Sequence, residues 1–302
     1  MYSNIIFKKY SVFYFSMVNL TILVPVYNEE RAVQATFEDI KNTVKKISLS
    51  YEIIAVNDGS KDNSAKILSN IKGIKLINHP YNKGYGASLK TGIKAAKGEW
   101  ILITDADGTY PIKDIPRLIN LIPKYDMVIG ARIGEHVKIP LLRKPAKFIL
   151  QKIANFLTNK KIPDLNSGLR VFRKSIALRF FNLFPSGFSF TTTITLACLT
   201  NDYNVKFIPI NYYERQGKST IHPIKDFVKF FNLIIRMTTY FNPFKIFFSI
   251  SLMLLFLAIL VYLYTSVVSN KLMDITVVVI FLSAVQIFLF GLIADLIVKQ
   301  RK

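Results

Sequence analysis

The chain has 302 residues, of which 51% are hydrophobic and 20% charged, so a disordered protein is excluded and a sizeable buried core is expected. Forty Lys and Arg residues against 19 Asp and Glu give a formal net charge of +21, which indicates anionic partners such as nucleic acid, phospholipid or phosphorylated small molecules. The single cysteine excludes an intrachain disulfide and a cysteine-rich zinc site.

Residues 1–18 are predicted to be an N-terminal extension. Lys8 and Lys9 accompany a short aromatic run, but no small-residue cleavage site follows, so a signal peptide is not predicted. Met1 and Met17 both remain candidate starts, and a location on the membrane surface is a second interpretation of the extension.

The next part of the chain alternates between apolar strands and helical patterns. The predicted strands are Leu20–Val26, Tyr51–Val56, Ile74–Asn78, Trp100–Thr104 and Met127–Gly130. One predicted helix begins after an N-cap at Asn28, and a short second helix ends near Gly73. Two further helices are predicted at Gly86–Lys97 and Asp114–Leu121. This alternation predicts an α/β fold with a mostly parallel sheet.

A polar cluster follows each of the first four strands. The clusters are Tyr27-Asn28-Glu29, Asn57-Asp58, the run from His79 to Gly86, and Asp105-Ala106-Asp107. Ligands of parallel sheets bind beyond the carboxyl ends of the strands, so this edge is the predicted ligand site.

Asp105 and Asp107 are separated by one residue directly after a predicted strand. Two carboxylates this close must share a cation or a proton, and hard oxygen ligands suit Mg²⁺ or Mn²⁺ held against a diphosphate. The alternative is an acidic turn formed with Gly108 and Pro111.

Several other motifs are incomplete. The loop from Asn82 to Gly86 is similar to a phosphate loop, but Leu89 breaks the dinucleotide fingerprint. Gly217-Lys218-Ser219 is preceded by Tyr212 where a P-loop has its first glycine, and the three histidines lack zinc spacing. A G-x-S-x-G motif is also missing, so kinase, dehydrogenase and serine hydrolase functions are not favoured.

Two segments combine basic and apolar residues. The range 138–161 has seven basic residues and no Asp or Glu, and the range 222–240 is similarly basic and aromatic. We expect both to lie on anionic lipid as interfacial helices; the alternative is a helix packed on the domain with a solvated basic face.

Two uncharged apolar stretches, 246–270 and 275–294, are each long enough to span a membrane. They predict a transmembrane hairpin with spans at about 246–269 and 275–297. Lys245 and the basic C-terminus flank its outer ends and only Lys271 lies in the turn, so the positive-inside rule predicts both termini and the preceding domain on the cytoplasmic side.

Five motifs occur in order along the chain. They are Pro25-Val26-Tyr27-Asn28-Glu29, Asn57-Asp58-Gly59-Ser60, Asn82-Lys83-Gly84-Tyr85-Gly86, Thr104-Asp105-Ala106-Asp107-Gly108 and Asn166-Ser167-Gly168-Leu169-Arg170. Together they resemble glycosyltransferase family 2, in its polyprenyl-phosphate branch, which is similar to dolichol-phosphate mannosyltransferases. The pattern of processive polysaccharide synthases is missing, because the only tryptophan is Trp100.

The resemblance implies a GT-A catalytic domain at 19–221, an interfacial amphipathic helix at 222–244 and the hairpin at 245–302. It implies a hexosyltransferase that uses a UDP- or GDP-sugar, a polyprenyl or dolichyl phosphate and membrane lipids, with no nucleic acid and with homo-oligomerisation left open. A hydroxyl of a lipid-linked saccharide is the alternative acceptor, and a non-catalytic membrane protein that binds anionic lipid or nucleic acid is a more remote alternative.

The resemblance also implies residue roles. The residues implied to bind the nucleotide sugar are Pro25, Tyr27, Glu29, Asp58, Lys83, Gly84 and Asp105. Asp105 and Asp107 would hold the metal, and Thr109 stands where the mannosyltransferases often have a glutamine ligand. The residues implied to bind phosphate or acceptor are Arg132, Arg143, Arg215, Lys218 and Ser219.

The catalytic residues implied by the resemblance are Asp107, Asp164 and Arg215. Asp164 matches the family's usual base position. A lipid phosphate is already ionised at neutral pH and needs no base, so we expect Asp164 to orient the acceptor or a cation, with helix capping as the alternative. A single in-line displacement predicts inversion at the anomeric carbon.

Overall fold

The computed structural model describes residues 20–137, 151–214 and 239–300, apart from 153, 157, 188 and 269–274, and also residues 231, 232 and 235. The chain divides into two compact units. The first comprises residues 1–151 and 161–227, and the second comprises residues 152–160 and 228–302.

The first unit is built on a seven-stranded sheet with the strand order β3-β2-β1-β4-β6-β5-β7. Its strands are β1 Leu20–Val26, β2 Tyr51–Asn57, β3 Lys75–Asn78, β4 Trp100–Ile103, β5 Met127–Val137, β6 Arg170–Arg173 and β7 Val205–Tyr212. Among the strands that the structure describes, β6 alone runs antiparallel to its neighbours, β4 and β5, and the other pairings are parallel. The predicted α/β class with a mostly parallel sheet is confirmed.

Helices cover the sheet. Among the described residues, the helices of the first unit are α1 Val33–Val44, α2 Ser64–Asn70, α3 Tyr85–Ala95, α4 Ile115–Ile119, α5 Lys174–Arg179 and α6 Phe190–Thr200, with 3-10 turns at Ile112–Asp114 and Phe181–Leu183. Every residue of β1 is buried, as expected for a central strand covered on both faces. The core consists mainly of β-branched and leucine side chains from β1, β2 and β4 against α1.

Strand register brings the polar ends together. Val26 pairs with Asn57, and Asn57 in turn pairs with Asn78, so β1, β2 and β3 end at the same level. The backbone N–H of Thr104 donates to the Leu23 carbonyl and carries the segment after β4 along the same edge. This edge is therefore where the loops that follow the parallel strands meet.

The predicted start of helix α1 was wrong. Helix α1 has Ala32 at its N-cap position, whereas Asn28 was expected there. Asn28 instead adopts a left-handed conformation with φ 55, and its Oδ1 accepts a hydrogen bond from the Lys61 backbone N–H at 2.8 Å. Its amide side chain therefore joins the loops after β1 and β2 rather than capping the helix.

The second unit contains α7 Pro243–Val268 and α8 Ile275–Gln300, both long and apolar enough to cross a membrane. The predicted spans agree with these helices to within three residues at each end. Ser251 Oγ donates to the Ala284 carbonyl at 2.8 Å, and Gly291 packs against Phe247, so small residues let the two helices approach closely. Large apolar side chains point away from the pair, as with Met253 at 64% exposure.

Candidate functional site

The loop after β2 holds the Asn82–Gly86 loop through one buried carboxylate. Asp58 is 3% exposed, and its Oδ1 accepts hydrogen bonds from His79 Nδ1 at 2.7 Å and from the Lys83 backbone N–H at 2.9 Å. Its Oδ2 accepts from the Gly84 backbone N–H at 2.8 Å. Asp58, Lys83 and Gly84 are all predicted to bind the nucleotide sugar, and they form one hydrogen-bonded unit.

Glycine is required where this loop turns into α3. Gly84 has φ 102, a conformation that side-chain-bearing residues rarely adopt, and a Cβ there would lie 2.5 Å from the Ser186 carbonyl oxygen. The Ala87 backbone N–H donates to the same carbonyl at 3.0 Å. The loop is therefore fixed by backbone contact with the segment before α6.

Three other residues that are predicted to bind the nucleotide sugar lie at the end of β1. Pro25 is buried within the strand, Tyr27 is half-buried directly after it, and Glu29 is 9% exposed. The backbone N–H of Glu29 donates to Ser64 Oγ at 2.9 Å, which connects this loop to the start of α2. These residues line the same edge of the sheet as Asp58.

Asp105 follows β4 and lies between a tyrosine and a glycine. The Tyr85 hydroxyl donates to Asp105 Oδ1 at 2.9 Å. A Cβ on Gly168 would lie 2.8 Å from Asp105 Oδ2, so a side chain there would displace this carboxylate. Burial, followed by the negative charge of Asp105, raises the pKa of Tyr85 well above its usual value, which keeps its hydroxyl a donor.

Asp107 is 8% exposed and is held by a threonine of its own loop. Thr109 donates to Asp107 Oδ1 twice, from Oγ1 at 2.6 Å and from its backbone N–H at 3.1 Å. Thr109 itself is fully buried. The residue at the position of the expected third metal ligand therefore contacts the carboxylate of Asp107.

The buried Asp164 forms an ion pair with the partly buried Arg132. Arg132 Nε donates to Asp164 Oδ2 at 2.7 Å and Nη2 donates to Oδ1 at 2.9 Å, while the Arg132 backbone N–H adds a 3.0 Å hydrogen bond. Burial alone would lower the pKa of Arg132, but interactions with Tyr110 and Asp164 raise it well above its usual value. The structure thus brings a predicted catalytic residue and a predicted phosphate-binding residue together.

Two tyrosines that sequence reasoning missed, Tyr110 and Tyr212, connect Gly168 to Arg132. Tyr110 accepts a hydrogen bond from the Gly168 backbone N–H at 2.6 Å, and its ring lies edge-on to Tyr212 with 5.3 Å between centroids. The Arg132 guanidinium lies 5.1 Å from the centroid of Tyr212. Tyr110 directly follows Thr109, which was the available signal, whereas Tyr212 ends a strand that was not predicted.

Arg170, the last residue of the fifth motif, has a structural position. Its guanidinium is fully buried and donates to the Ser167 and Thr191 carbonyls and to Thr195 Oγ1, the last at 2.7 Å. Burial lowers its pKa to about 10. Arg170 therefore attaches α6 to the turn that contains Gly168.

The described residues offer a divalent metal two carboxylates. Within the described ranges, no group of three His, Cys, Asp or Glu side chains is placed to hold a metal ion. Two carboxylates at the ligand edge are hard oxygen donors that suit Mg²⁺ or Mn²⁺ when the ligand's own oxygens complete the coordination. The donor set thus fits a metal bound together with a diphosphate.

Some predicted residues and segments lie outside the described residues. They are the extension 1–18, most of the basic segment 138–161, most of the helix 222–244, the turn residue Lys271, and the site residues Arg143, Arg215, Lys218 and Ser219.

Family comparisons match most of the chain. The model of "Glycosyl transferase family 2" matches residues 21–181, and the model of "GtrB C-terminal hairpin" matches residues 242–299. The first match lies in the first unit except for residues 152–160, and the second match lies in the second unit.

Several curated proteins are similar in sequence. A dolichyl-phosphate hexose transferase of Haloferax volcanii is 28% identical over 207 residues, covering 68% of this chain and 87% of that protein. A dolichyl-phosphate beta-glucosyltransferase of Dictyostelium discoideum is 27% identical over 240 residues, covering 70% of this chain and 73% of that protein. For the low-salt glycan biosynthesis hexosyltransferase Agl6 of Haloferax volcanii, at 26% identity, the match spans only 51% of the relative's length.

A solved structure shares the fold. Glucosyl-3-phosphoglycerate synthase from Mycobacterium tuberculosis, in complex with Mn²⁺, UDP-glucose and phosphoglyceric acid, matches with a TM-score of 0.58 over 73% of this chain and 80% of that chain. Its sequence identity is 13%, so this likeness shows the fold alone.

Proposed function

Because this chain belongs to glycosyl transferase family 2, we propose that it transfers a hexose from a nucleoside diphosphate sugar to a polyprenyl or dolichyl phosphate. Glycosyltransferase activity follows from the family itself. The lipid-phosphate acceptor is supported by the names of two relatives and by the match to the GtrB hairpin.

One observation carries the proposal: Asp105 and Asp107 lie at the edge of the sheet where the loops after the parallel strands meet. Their oxygens are the donors that Mg²⁺ or Mn²⁺ prefers. A bound divalent ion would neutralise the charge that develops on the departing diphosphate. Asp105 and Asp107 would hold that ion, and the diphosphate oxygens would complete its coordination.

The loops after β1, β2 and β3 are proposed to bind the nucleotide. Pro25, Tyr27 and Glu29 would line the nucleoside pocket at the end of β1. Asp58 already accepts three hydrogen bonds from its own chain, so its role would be to hold the Lys83–Gly84 backbone in place for the donor.

The Asp164–Arg132 pair is proposed to lie on the acceptor side. A phosphomonoester is largely dianionic at neutral pH and attacks the anomeric carbon without a general base. Asp164 would fix the guanidinium plane of Arg132, whose remaining N–H donors would then bind phosphate. Arg143, Arg215, Lys218 and Ser219 are proposed to contribute further phosphate contacts, and a single in-line displacement would invert the anomeric carbon.

We further propose that α7 and α8 anchor the enzyme in a membrane, with the catalytic domain and both termini on the cytoplasmic side. Lys245, Lys299, Arg301 and Lys302 lie at the outer ends of the hairpin, and Lys271 is the single basic residue of its turn. The proposed domain limits are 19–221 for the GT-A domain, 222–244 for an interfacial helix and 245–302 for the hairpin.

The full chain in detergent should be incubated with polyprenyl phosphate and a panel of labelled UDP- and GDP-sugars. One donor is expected to give a labelled lipid, and EDTA or Asp107→Asn is expected to abolish transfer while leaving the thermal unfolding transition of the catalytic domain intact. Full activity under either treatment would refute the metal role. Transfer to a saccharide hydroxyl in preference to phosphate would establish the alternative acceptor.

A further inference from the structure

Each carboxylate of the Asp105–Asp107 pair accepts a hydrogen bond from a neutral hydroxyl. Tyr85 donates to Asp105 Oδ1 at 2.9 Å and Thr109 Oγ1 donates to Asp107 Oδ1 at 2.6 Å. A neutral donor restricts the rotation of a carboxylate without neutralising its charge, so the carboxylate keeps its attraction for a cation.

The Tyr85 hydrogen bond joins two parts of the proposed donor site. Tyr85 is the first residue of α3 and directly follows Gly84, whose N–H is held by Asp58. Gly84 and Gly86 both pack against backbone atoms of residues 185–187, which fixes the point where α3 begins. The position of the Asp105 carboxylate therefore depends on the loop proposed to bind the donor.

The two Thr109 hydrogen bonds constrain the carboxylate of Asp107. Thr109 is fully buried, and its carbonyl accepts the backbone N–H of Tyr213 at 2.9 Å. Because β7 ends at Tyr212, the position of Thr109 is set by the sheet rather than by the Asp107 loop alone.

We propose that Tyr85 and Thr109 are positioning residues that set the orientations of Asp105 and Asp107 before a divalent ion binds. This inference rests on the proposed function, since it assumes that the two carboxylates hold a metal with a nucleoside diphosphate. Partners of this kind, which contact the ligands of a metal and not the metal itself, typically contribute 10- to 100-fold to metal affinity or activity.

A purely structural role would satisfy buried polar atoms without affecting the metal. Thr104 provides the matched control. It is fully buried in the same segment, and its Oγ1 has no hydrogen-bond partner among the described residues. Thr104→Val and Thr109→Val make the same chemical change, the loss of a buried threonine hydroxyl. Only Thr109→Val also removes a hydrogen-bond donor to a carboxylate.

The full chain in detergent should be titrated with Mn²⁺ in the presence of UDP and, separately, of GDP, and bound Mn²⁺ followed by calorimetry and by loss of the free-ion electron paramagnetic resonance signal. Tyr85→Phe and Thr109→Val are each expected to weaken Mn²⁺ binding by about 10-fold. Thr109→Ser, which keeps the hydroxyl, is expected to restore most of the affinity, and Thr104→Val is expected to match the unmodified protein.

Unchanged Mn²⁺ affinity in both Tyr85→Phe and Thr109→Val would overturn the inference while leaving the proposed function intact. Equal weakening by Thr104→Val, or failure of Thr109→Ser to recover affinity, would also overturn it, because burial rather than the hydrogen bond would then matter. Absence of any Mn²⁺-dependent nucleotide binding by the unmodified protein would overturn both the inference and the metal role in the proposed function.

Discussion

Arg132 holds both carboxylate oxygens of Asp164, with Nε 2.7 Å from Oδ2 and Nη2 2.9 Å from Oδ1. The backbone N–H of Asn166 donates a further hydrogen bond to Oδ1 at 3.1 Å, and Asp164 is only 1% exposed. A carboxylate engaged in this way is a poor proton acceptor, because taking a proton would break a charge-assisted pair. The pair therefore supports the hypothesis that Asp164 orients a cation.

Asp164→Asn is expected to affect acceptor binding more than turnover. The amide cannot form the charged two-point pair, so Arg132 loses its fixed orientation. We expect the KM for polyprenyl phosphate to rise about 10-fold, equivalent to about 1.4 kcal/mol, with a smaller loss in kcat. Steady-state kinetics between pH 7 and 9 should show a rate that does not depend on pH.

Arg132→Lys is the companion variant, because it keeps the charge and removes the planar fork. It is expected to raise the same KM to a similar extent. Complete loss of turnover in Asp164→Asn with an unchanged acceptor KM would contradict the orienting role and would assign Asp164 as the general base.

Gly168→Ala is expected to displace the Asp105 carboxylate. The added Cβ would lie 2.8 Å from Oδ2 and 3.0 Å from Oδ1, both closer than side chains normally tolerate. We expect Mn²⁺-dependent nucleotide binding to weaken by about 10-fold, measured by calorimetry. Gly187→Ala is the matched control, since a Cβ there meets nothing within 4 Å. Equal effects of the two variants would disprove the explanation by contact.

The sequence allowed prediction of the elements that are dominated by local patterns. The continuous apolar run Leu20–Val26 is β1 to the residue, and the two uncharged stretches match α7 and α8 closely. The placement of Asp105 and Asp107 at the ligand edge also followed, because a parallel sheet collects the ends of its strands.

Contacts between distant residues could not be predicted in the same way. Tyr85 and Asp105 are 20 residues apart, and Tyr110 and Gly168 are 58 apart, so only the folded sheet brings each pair together. The four-residue strand β6 is too short to give a periodic pattern. Helix α6 has four buried threonines near its start, and these polar residues do not give the apolar pattern by which a buried helix is predicted. One of them, Thr191, accepts a hydrogen bond from Arg170 through its carbonyl.

Arg170→Lys is expected to destabilise the catalytic domain. The guanidinium donates to two carbonyls and to Thr195 Oγ1 in a fully buried site, and a lysine ammonium cannot reach the same acceptors in the same geometry. Leaving buried acceptors without donors should lower the free energy of unfolding by about 2–3 kcal/mol, measured by chemical denaturation.

Arg173→Lys is the control for this variant on the same strand. Arg173 is partly exposed and pairs with Glu99 and Asp126, so its replacement is expected to cost about 1 kcal/mol or less. A cost for Arg170→Lys as small as that for Arg173→Lys would refute the structural role of Arg170.

Cys198, the only cysteine of the chain, should report whether the catalytic domain is folded. It is fully buried in α6, and burial raises the pKa of its thiol from 9.0 to about 12. The native protein should therefore resist a thiol reagent at pH 8, whereas the denatured chain should react with one equivalent.

The sign of the accompanying pH effect follows from proton binding. Between about pH 9 and pH 12 the folded protein keeps the thiol proton that the unfolded chain has lost, so the free energy of unfolding should fall as pH rises through that window. Cys198→Ser should reduce this fall, measured by denaturation at pH 8 and pH 10. Rapid labelling of the native protein at pH 8 would contradict the buried position of the thiol. If labelling is slow, the same assay can test whether each variant proposed above is folded.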